Sequence, residues 1–304
     1  MADETRSVTT HDLLALKERG ERIVVLTCYD ALFARLLDAA GVDLLLVGDS
    51  VNQVLAGAET TLSATLEQMI YHTKIVRRGA VRAMVVCDMP FLTYQVSAHE
   101  AIRNCGRVMQ ETDCHGVKLE GGAAMADTVR ALVDVGIPVM GHLGLTPQSV
   151  HALGGYRVQG RDEKTAERLK ADAKALEQAG AFAIVLELIP APLASQMSKS
   201  LTIPTIGIGA GPGTDGQVLV LHDLLGLTTG KPPKFVKRYA NLAEQIASAA
   251  TAYSEDVRTG KFPGPEHEYT ANGSAPAKDR SQGSPRTLGE ASEFVGSEEV
   301  RYGG

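Results

Sequence analysis

Short β-branched and apolar runs alternate along this chain with longer stretches whose apolar residues recur every three or four positions. The first run covers residues 23–27. In the stretch after it, 31–40, Leu32, Phe33, Leu36 and Leu37 share helical spacing and Gly41 supplies a stop. Residues 43–47, 83–87, 116–119, 137–140, 182–186, 204–208 and 217–221 read as seven further strands. Helices are expected over 65–78, with Leu66, Met69, Ile70 and Ile75 on one face, and over 98–110, 125–134, 163–179, 190–198 and 241–255. Ahead of all of these, residues 10–16 form a short helical pattern with Thr10 as its N-cap.

Eight strands alternating with helices predict a parallel sheet, because parallel neighbours need a crossover connection. The repeat spans residues 22–258, close to the about 250 residues typical of a closed barrel. An open doubly wound sheet would carry a glycine fingerprint after its first strand, where this chain has Thr27-Cys28-Tyr29-Asp30. The expected fold is therefore α/β, a closed eight-fold (β/α)8 TIM-type barrel over residues 21–268 with a helical extension over 1–20. Residues 269–304 change character: between Asn272 and Gly289 the chain is rich in Gly, Ser, Pro and Ala with almost no large apolar side chain. Such a segment cannot bury enough surface to offset its ordering entropy, so a disordered tail is expected, a partner-binding segment being the alternative.

Composition removes several functional classes. A net charge of -6 and a pI near 5.8 disfavour nucleic acid and anionic membrane as partners, since both demand basic surface. No apolar run is long enough to cross a bilayer, and Met1-Ala2-Asp3-Glu4 lacks the charged-then-apolar pattern of a signal peptide. Cys28, Cys87, Cys105 and Cys114 show no close metal-ligand spacing and read as reduced cytosolic thiols.

In a barrel the site lies at the C-terminal ends of the strands. Asp49, Asp88 and Glu120 close the second, third and fourth strand runs. Three neighbouring carboxylates repel one another unless a cation compensates them, and an all-oxygen set selects a hard divalent ion, most naturally Mg2+ with waters retained. Lys118, two residues before Glu120, turns to the same face of its strand. It is either a Schiff-base nucleophile or a fixed cation for an anionic substrate, and the acids beside it favour the fixed cation. Glu187 ends the sixth run, across the barrel from the triad, where an isolated carboxylate can serve as general base. His142, closing the fifth run, either hydrogen-bonds substrate or packs. The glycine-rich segment 207–213 sits where barrels often bind phosphate, yet no basic residue lies near it, so a tight structural turn is an equal reading.

These phrases resemble the ketopantoate hydroxymethyltransferase (3-methyl-2-oxobutanoate hydroxymethyltransferase) family. The resemblance is carried by Val47-Gly48-Asp49-Ser50, Met69-Ile70-Tyr71-His72-Thr73, Asp88-Met89-Pro90-Phe91 and Val117-Lys118-Leu119-Glu120-Gly121-Gly122. It continues through Gly141-His142-Leu143-Gly144-Leu145-Thr146-Pro147-Gln148, residues 154–160, Gly207-Ile208-Gly209-Ala210-Gly211, Thr214-Asp215-Gly216-Gln217 and Pro263-Gly264-Pro265-Glu266-His267. The match runs in order from about residue 10 to 268. It implies an eight-fold barrel that uses Mg2+ and moves a one-carbon unit from 5,10-methylenetetrahydrofolate to 3-methyl-2-oxobutanoate, giving 2-dehydropantoate in pantothenate biosynthesis. By motif, Asp49, Asp88 and Glu120 fall on the family's metal positions, Asp49, Ser50, Asp88 and Lys118 on the oxo-acid site, and Glu187 on the proton acceptor. The resemblance also implies a cytoplasmic homo-oligomer, a decamer. Two departures adjoin the site: Val51-Asn52-Gln53 replaces a small glycine-containing turn, and Glu59 stands where an aspartate is usual.

Two other readings compete. Lyases of the phosphoenolpyruvate-mutase and isocitrate-lyase kind also gather acids around Mg2+ in a barrel, but they carry a cysteine in a Lys-Lys-Cys-Gly-like loop that this sequence lacks. A barrel kept only as a scaffold would have no use for three acids, Lys118 and Glu187 together.

Overall fold

The computed structural model describes residues 6–228 and 230–269. Eight parallel strands close into a barrel in sequence order: β1 (Ile23–Thr27), β2 (Leu44–Val47), β3 (Met84–Asp88), β4 (Gly116–Glu120), β5 (Val139–Gly144), β6 (Ala183–Glu187), β7 (Thr205–Ile208) and β8 (Gly216–Leu219). The helices are α1 (Thr10–Glu18), α2 (Ala31–Ala39), α3 (Val51–Val54), α4 (Leu66–Gly79), α5 (Ala98–Thr112), α6 (Ala126–Asp134), α7 (Glu163–Gln178), α8 (Ala191–Ser200), α9 (Leu221–Leu224) and α10 (Leu242–Thr259). The expected barrel is present. The expected disordered tail falls on 270–304, outside the described residues.

The chain divides into two compact units, Met1–Gln245 and Ile246–Gly304. The first contains the barrel. The second contains most of α10, none of whose residues is buried, and Phe262 lies between the rings of Tyr253 and His267. No helix among the described residues is long and apolar enough to cross a membrane.

Strand parity separates two cores. Leu45, Val47, Val85, Cys87, Val117, Leu119, Val139 and Ile184 point outward and pack in one cluster with buried helix residues such as Ala34, Met69, Val108 and Leu176. Their alternates, among them Ile23, Leu44, Met84, Met140, Ala183 and Ile206, fill the barrel interior. The lower mouth is plugged by the N-terminal segment, whose Val8 and Leu13 belong to that interior cluster. Lys17 at the end of α1 fastens the plug: Nζ donates to Asp215 Oδ2 (3.0 Å), Ser198 O (3.0 Å) and Ile203 O (2.8 Å). Apolar fill below leaves the upper end of the interior for polar groups.

Several boundaries differ from the sequence reading, each for a local reason. Thr9, not Thr10, caps α1, because its side chain and Asp12 satisfy one another's backbone N–H groups in a capping box. β5 begins at Val139 and runs through Gly141 and His142 to Gly144, since pairing with β4 and β6 holds these residues extended where the glycines gave no strand pattern. β8 stops at Leu219, and the Leu221 N–H donates to Thr27 Oγ1 (3.0 Å) as α9 begins. The one-turn helix α3 was not legible, being too short to display a period.

Candidate active site

Parity that sends Met84 and Val86 inward also sends Asp88 inward, and β4, β5 and β6 do the same for Lys118, Glu120, His142 and Glu187. Backbone register sets their heights, pairing Asp88 with Lys118, Glu120 with His142 and Gly144 with Glu187. Asp49 lies just beyond β2. A Cβ on Gly48 would press on Ser50 Oγ at 2.8 Å, so glycine there lets Asp49 and Ser50 turn toward the mouth. Asp49, Ser50, Asp88, Lys118, Glu120, His142 and Glu187 line one cavity of about 490 Å³, and its opposite wall is largely apolar, with Ile208, Val218, Val220 and Phe235.

Asp49, Asp88, Lys118, Glu120 and His142 are all buried, Glu120 being the most exposed of the five at 6%. The Asp49 backbone N–H donates to Asp88 Oδ2 (3.1 Å). Lys118 Nζ lies 2.8 Å from Asp88 Oδ1 and 3.1 Å from His142 Nδ1. The same His142 Nδ1 is 3.4 Å from Glu120 Oε1, and His142 Nε2 is 3.1 Å from Glu187 Oε2. Glu187 is therefore not the isolated carboxylate the sequence suggested; an imidazole joins it to the triad. His142 neither merely packs nor stands free. Ser50 Oγ is 2.9 Å from Tyr29 OH.

Burial and charge pull these groups apart. Burial, with Asp88 and Glu120 nearby, raises the Asp49 carboxyl to about 8. Burial also raises Asp88, although Lys118 opposes it. For Glu120 the desolvation is outweighed by His142, Lys118 and the Gln148 amide, so it stays below the usual range. Burial works against charge on Lys118, yet Asp88, Glu120 and Asp49 hold it firmly protonated. Burial and the Lys118 ammonium oppose a charge on His142, but its Glu120 and Glu187 partners win and raise it to about 9. Strongly perturbed groups facing one cleft mark a functional site.

Two residues of this network were missed as site residues. Gln148, in a short 3-10 turn opened by Pro147, donates from Nε2 to Asp49 Oδ2 and Met89 O (both 2.9 Å), and its backbone N–H donates to Glu120 Oε2 (3.0 Å). Tyr94 OH lies 2.8 Å from Gln148 Oε1 and accepts from the Glu120 N–H (3.0 Å). Both sit in loops without periodicity, and the only sequence signal was that Gln148 falls inside a phrase of the resemblance. The departing residues Asn52 and Gln53 also have partners: Asn52 Nδ2 donates to Thr60 O and Ser63 Oγ (both 2.8 Å), and Gln53 Nε2 to Glu59 O (3.0 Å) and Tyr156 OH (3.2 Å). The glycine-rich segment is a packed turn, with Gln217 Nε2 donating to Gly211 O (3.0 Å) and Gly213 set against Ser195.

The residues fit a hard divalent cation. Three buried carboxylates crowd around one ammonium and one imidazole, and their mutual repulsion with burial keeps a proton on Asp49 that a cation could replace. Gln148 engages Oδ2 of Asp49, which leaves Oδ1 for a cation. Among the described residues no trio of His, Cys, Asp or Glu side chains closes a metal cage unaided. The all-oxygen donors of Asp49, Asp88 and Glu120 suit Mg2+, which keeps several waters and takes only one or two carboxylates directly, better than Zn2+.

The sequence matches the family described as ketopantoate hydroxymethyltransferase over residues 7–265. It is 55% identical over 269 residues to the 3-methyl-2-oxobutanoate hydroxymethyltransferase of Pelobacter propionicus, covering 88% of this chain and 100% of that one. It is 56% identical over 266 residues to the enzyme of the same name from Prosthecochloris aestuarii, covering 86% and 96%. Among solved structures, 2,3-dimethylmalate lyase aligns with a TM-score of 0.55 at 20% identity, over 87% of this chain and 93% of that one. Phosphonopyruvate hydrolase, crystallised with oxalate and Mg2+, aligns with a TM-score of 0.55 at 12% identity, over 83% and 87%. Likeness at that distance is a likeness of fold.

Proposed function

The chain belongs to the ketopantoate hydroxymethyltransferase family, and we propose that its barrel mouth transfers a hydroxymethyl group from 5,10-methylenetetrahydrofolate to 3-methyl-2-oxobutanoate, giving 2-dehydropantoate for pantothenate biosynthesis. The observation that carries this reading is the placement of Glu187 in the same cavity as Asp49, Asp88, Glu120 and Lys118, held 3.1 Å from His142. Asp49 and Asp88 would hold Mg2+, with Glu120 reaching it directly or through a retained water. When bound, the ion supplies Lewis acidity at the keto oxygen of the substrate.

The chain's own groups do the remainder. Lys118, kept protonated by its acidic neighbours, stabilises negative charge gathering on the enolate oxygen. Ser50, 2.9 Å from Tyr29 OH, would donate to the substrate carboxylate. Glu187, oriented by His142, accepts the C3 proton, and the electron pair of that C–H bond becomes the enolate. One C–N bond of the folate methylene bridge breaks as that nitrogen takes up the proton released from C3, and C3 attacks the methylene carbon to form the C–C bond. Water then cleaves the remaining C–N bond, its hydroxyl staying on that carbon and its proton passing to the nitrogen, which frees 2-dehydropantoate and tetrahydrofolate. The apolar wall formed by Ile208, Val218 and Val220 suits the branched end of the oxo acid.

We also infer a cytoplasmic homo-oligomer, a decamer. Exposed apolar side chains support self-association: Val24 on β1 and Leu32 and Leu36 on α2 within the first unit, and Ile246, Tyr253 and Val257 on α10 within the second.

Proton NMR of 3-methyl-2-oxobutanoate in D2O tests the enolising half without folate. Mg2+-dependent loss of the C3 hydrogen signal is expected with the native chain and not with Glu187→Gln. No exchange with any divalent metal, even after folate is supplied, would overturn the assignment.

A further inference from the structure

We propose that Gln148 is a positioning residue that fixes the carboxylates of Asp49 and Glu120 for the cation, with Tyr94 as its anchor. This rests on the divalent-cation reading above. A primary amide has two N–H donors and two acceptor lone pairs. In Gln148 all four are committed within the protein: Nε2 donates to Asp49 Oδ2 and Met89 O, both 2.9 Å, while Oε1 faces Tyr94 OH at 2.8 Å and accepts from Gln95 Nε2 at 3.1 Å. No capacity remains for a substrate, so the side chain acts through its partners.

The arrangement has a fixed polarity. Met89 O can only accept and Gln95 Nε2 can only donate, which forces the amide nitrogen toward Asp49 and the oxygen toward Tyr94. Nε2 therefore pins Oδ2 of Asp49 and turns Oδ1 outward. From the backbone of the same residue, the N–H pins Glu120 Oε2 at 3.0 Å. One loop residue thus sets the direction of two acids, one just past β2 and one on β4. Tyr94, fully buried, ties this residue to β4 because its hydroxyl also accepts from the Glu120 N–H at 3.0 Å. Partners that orient metal-ligating side chains tune affinity, and losing one typically costs roughly 10- to 100-fold.

The test measures Mg2+ dissociation constants by titration calorimetry on the full-length chain, with urea midpoints recorded in parallel. Gln148→Met keeps the length of the side chain and removes all four bonds; Tyr94→Phe removes only the anchor. Gln148→Met is expected to bind Mg2+ about 10- to 100-fold more weakly, and Tyr94→Phe to weaken binding less. The double variant should lose less than the product of the two single losses, since both act through one network. A structural role alone would lower the urea midpoints and leave Mg2+ affinity within about twofold of the native chain, and that result would overturn the proposal. If Gln148→Met does not fold, Tyr94→Phe decides it by the same comparison. No Mg2+ binding by the native chain would instead strike the functional reading itself, and this inference with it.

Discussion

The acid cluster makes an unusual demand on stability, and pH exposes it. Burial and the neighbouring carboxylates raise Asp49 from the ordinary 3.8 to about 8 in the folded chain. From about pH 4 to about pH 8 the metal-free folded state therefore keeps a proton that the unfolded state has released. A folded state that binds more protons loses stability as pH rises. The slope from one such group approaches about 1.4 kcal/mol per pH unit, so the window amounts to several kcal/mol. His142, raised from 6.5 to about 9, adds a loss of the same sign in the upper part of the range. Mg2+ would take the proton's place on Asp49. Its affinity should then climb by up to about tenfold per pH unit below about 8, and the bound chain should hold its stability as pH rises. Urea unfolding between about pH 5 and pH 9, with and without saturating Mg2+, reads both effects, and calorimetric titration over the same range reads the affinity. A metal-free stability that stays level or rises with pH, or a Mg2+ affinity indifferent to pH, would refute the reasoning.

Two further substitutions separate chemistry from scaffold. Gly144 has φ +94, and a Cβ there would press on the Glu187 carbonyl oxygen and on Ile189 Cγ2. Gly144→Ala should cost about 1–3 kcal/mol in backbone strain and displace the base, lowering kcat by up to about 100-fold while Mg2+ affinity holds; an unchanged kcat would contradict the placement of Glu187. Asp215→Ala deprives Lys17 of its carboxylate at the lower mouth and Thr205 of an acceptor, and should cost about 1–3 kcal/mol by urea titration, with kcat at saturating substrate unaltered.

Much of the site was legible because strand parity is a strict rule. Once the runs ending at Asp88, Glu120 and Glu187 were recognised as strands of one barrel, the direction of their terminal side chains followed, and Lys118 followed from Glu120, two residues before it. Asp49 was found by the same reading, as the acid closing the second run, although the strand itself stops at Val47 and Asp49 lies past its end. What escaped was the linkage. That His142 touches both Glu120 and Glu187 depends on register between β4, β5 and β6, and β5 hid its own length behind two glycines. Gln148 and Tyr94 escaped because a loop residue's partners are set by tertiary packing, of which no periodic signal survives in the chain. Thr9 was displaced by one residue for the same kind of reason, since Thr9 and Thr10 are equivalent until Asp12 selects between them.

The cavity is divided between two arcs of one barrel. Asp49, Asp88, Lys118, Glu120, His142 and Glu187 lie in or just past β2 to β6, whereas Ile208, Val218 and Val220 lie in or just past β7 and β8. Groups that break and make bonds thus all precede residue 188, and although Leu46 and Val185 also line the cavity, much of the apolar surface that measures the guest comes after them. A descendant of this chain could enlarge or narrow its apolar arc by changes after residue 204 alone, inheriting the reactive arc intact.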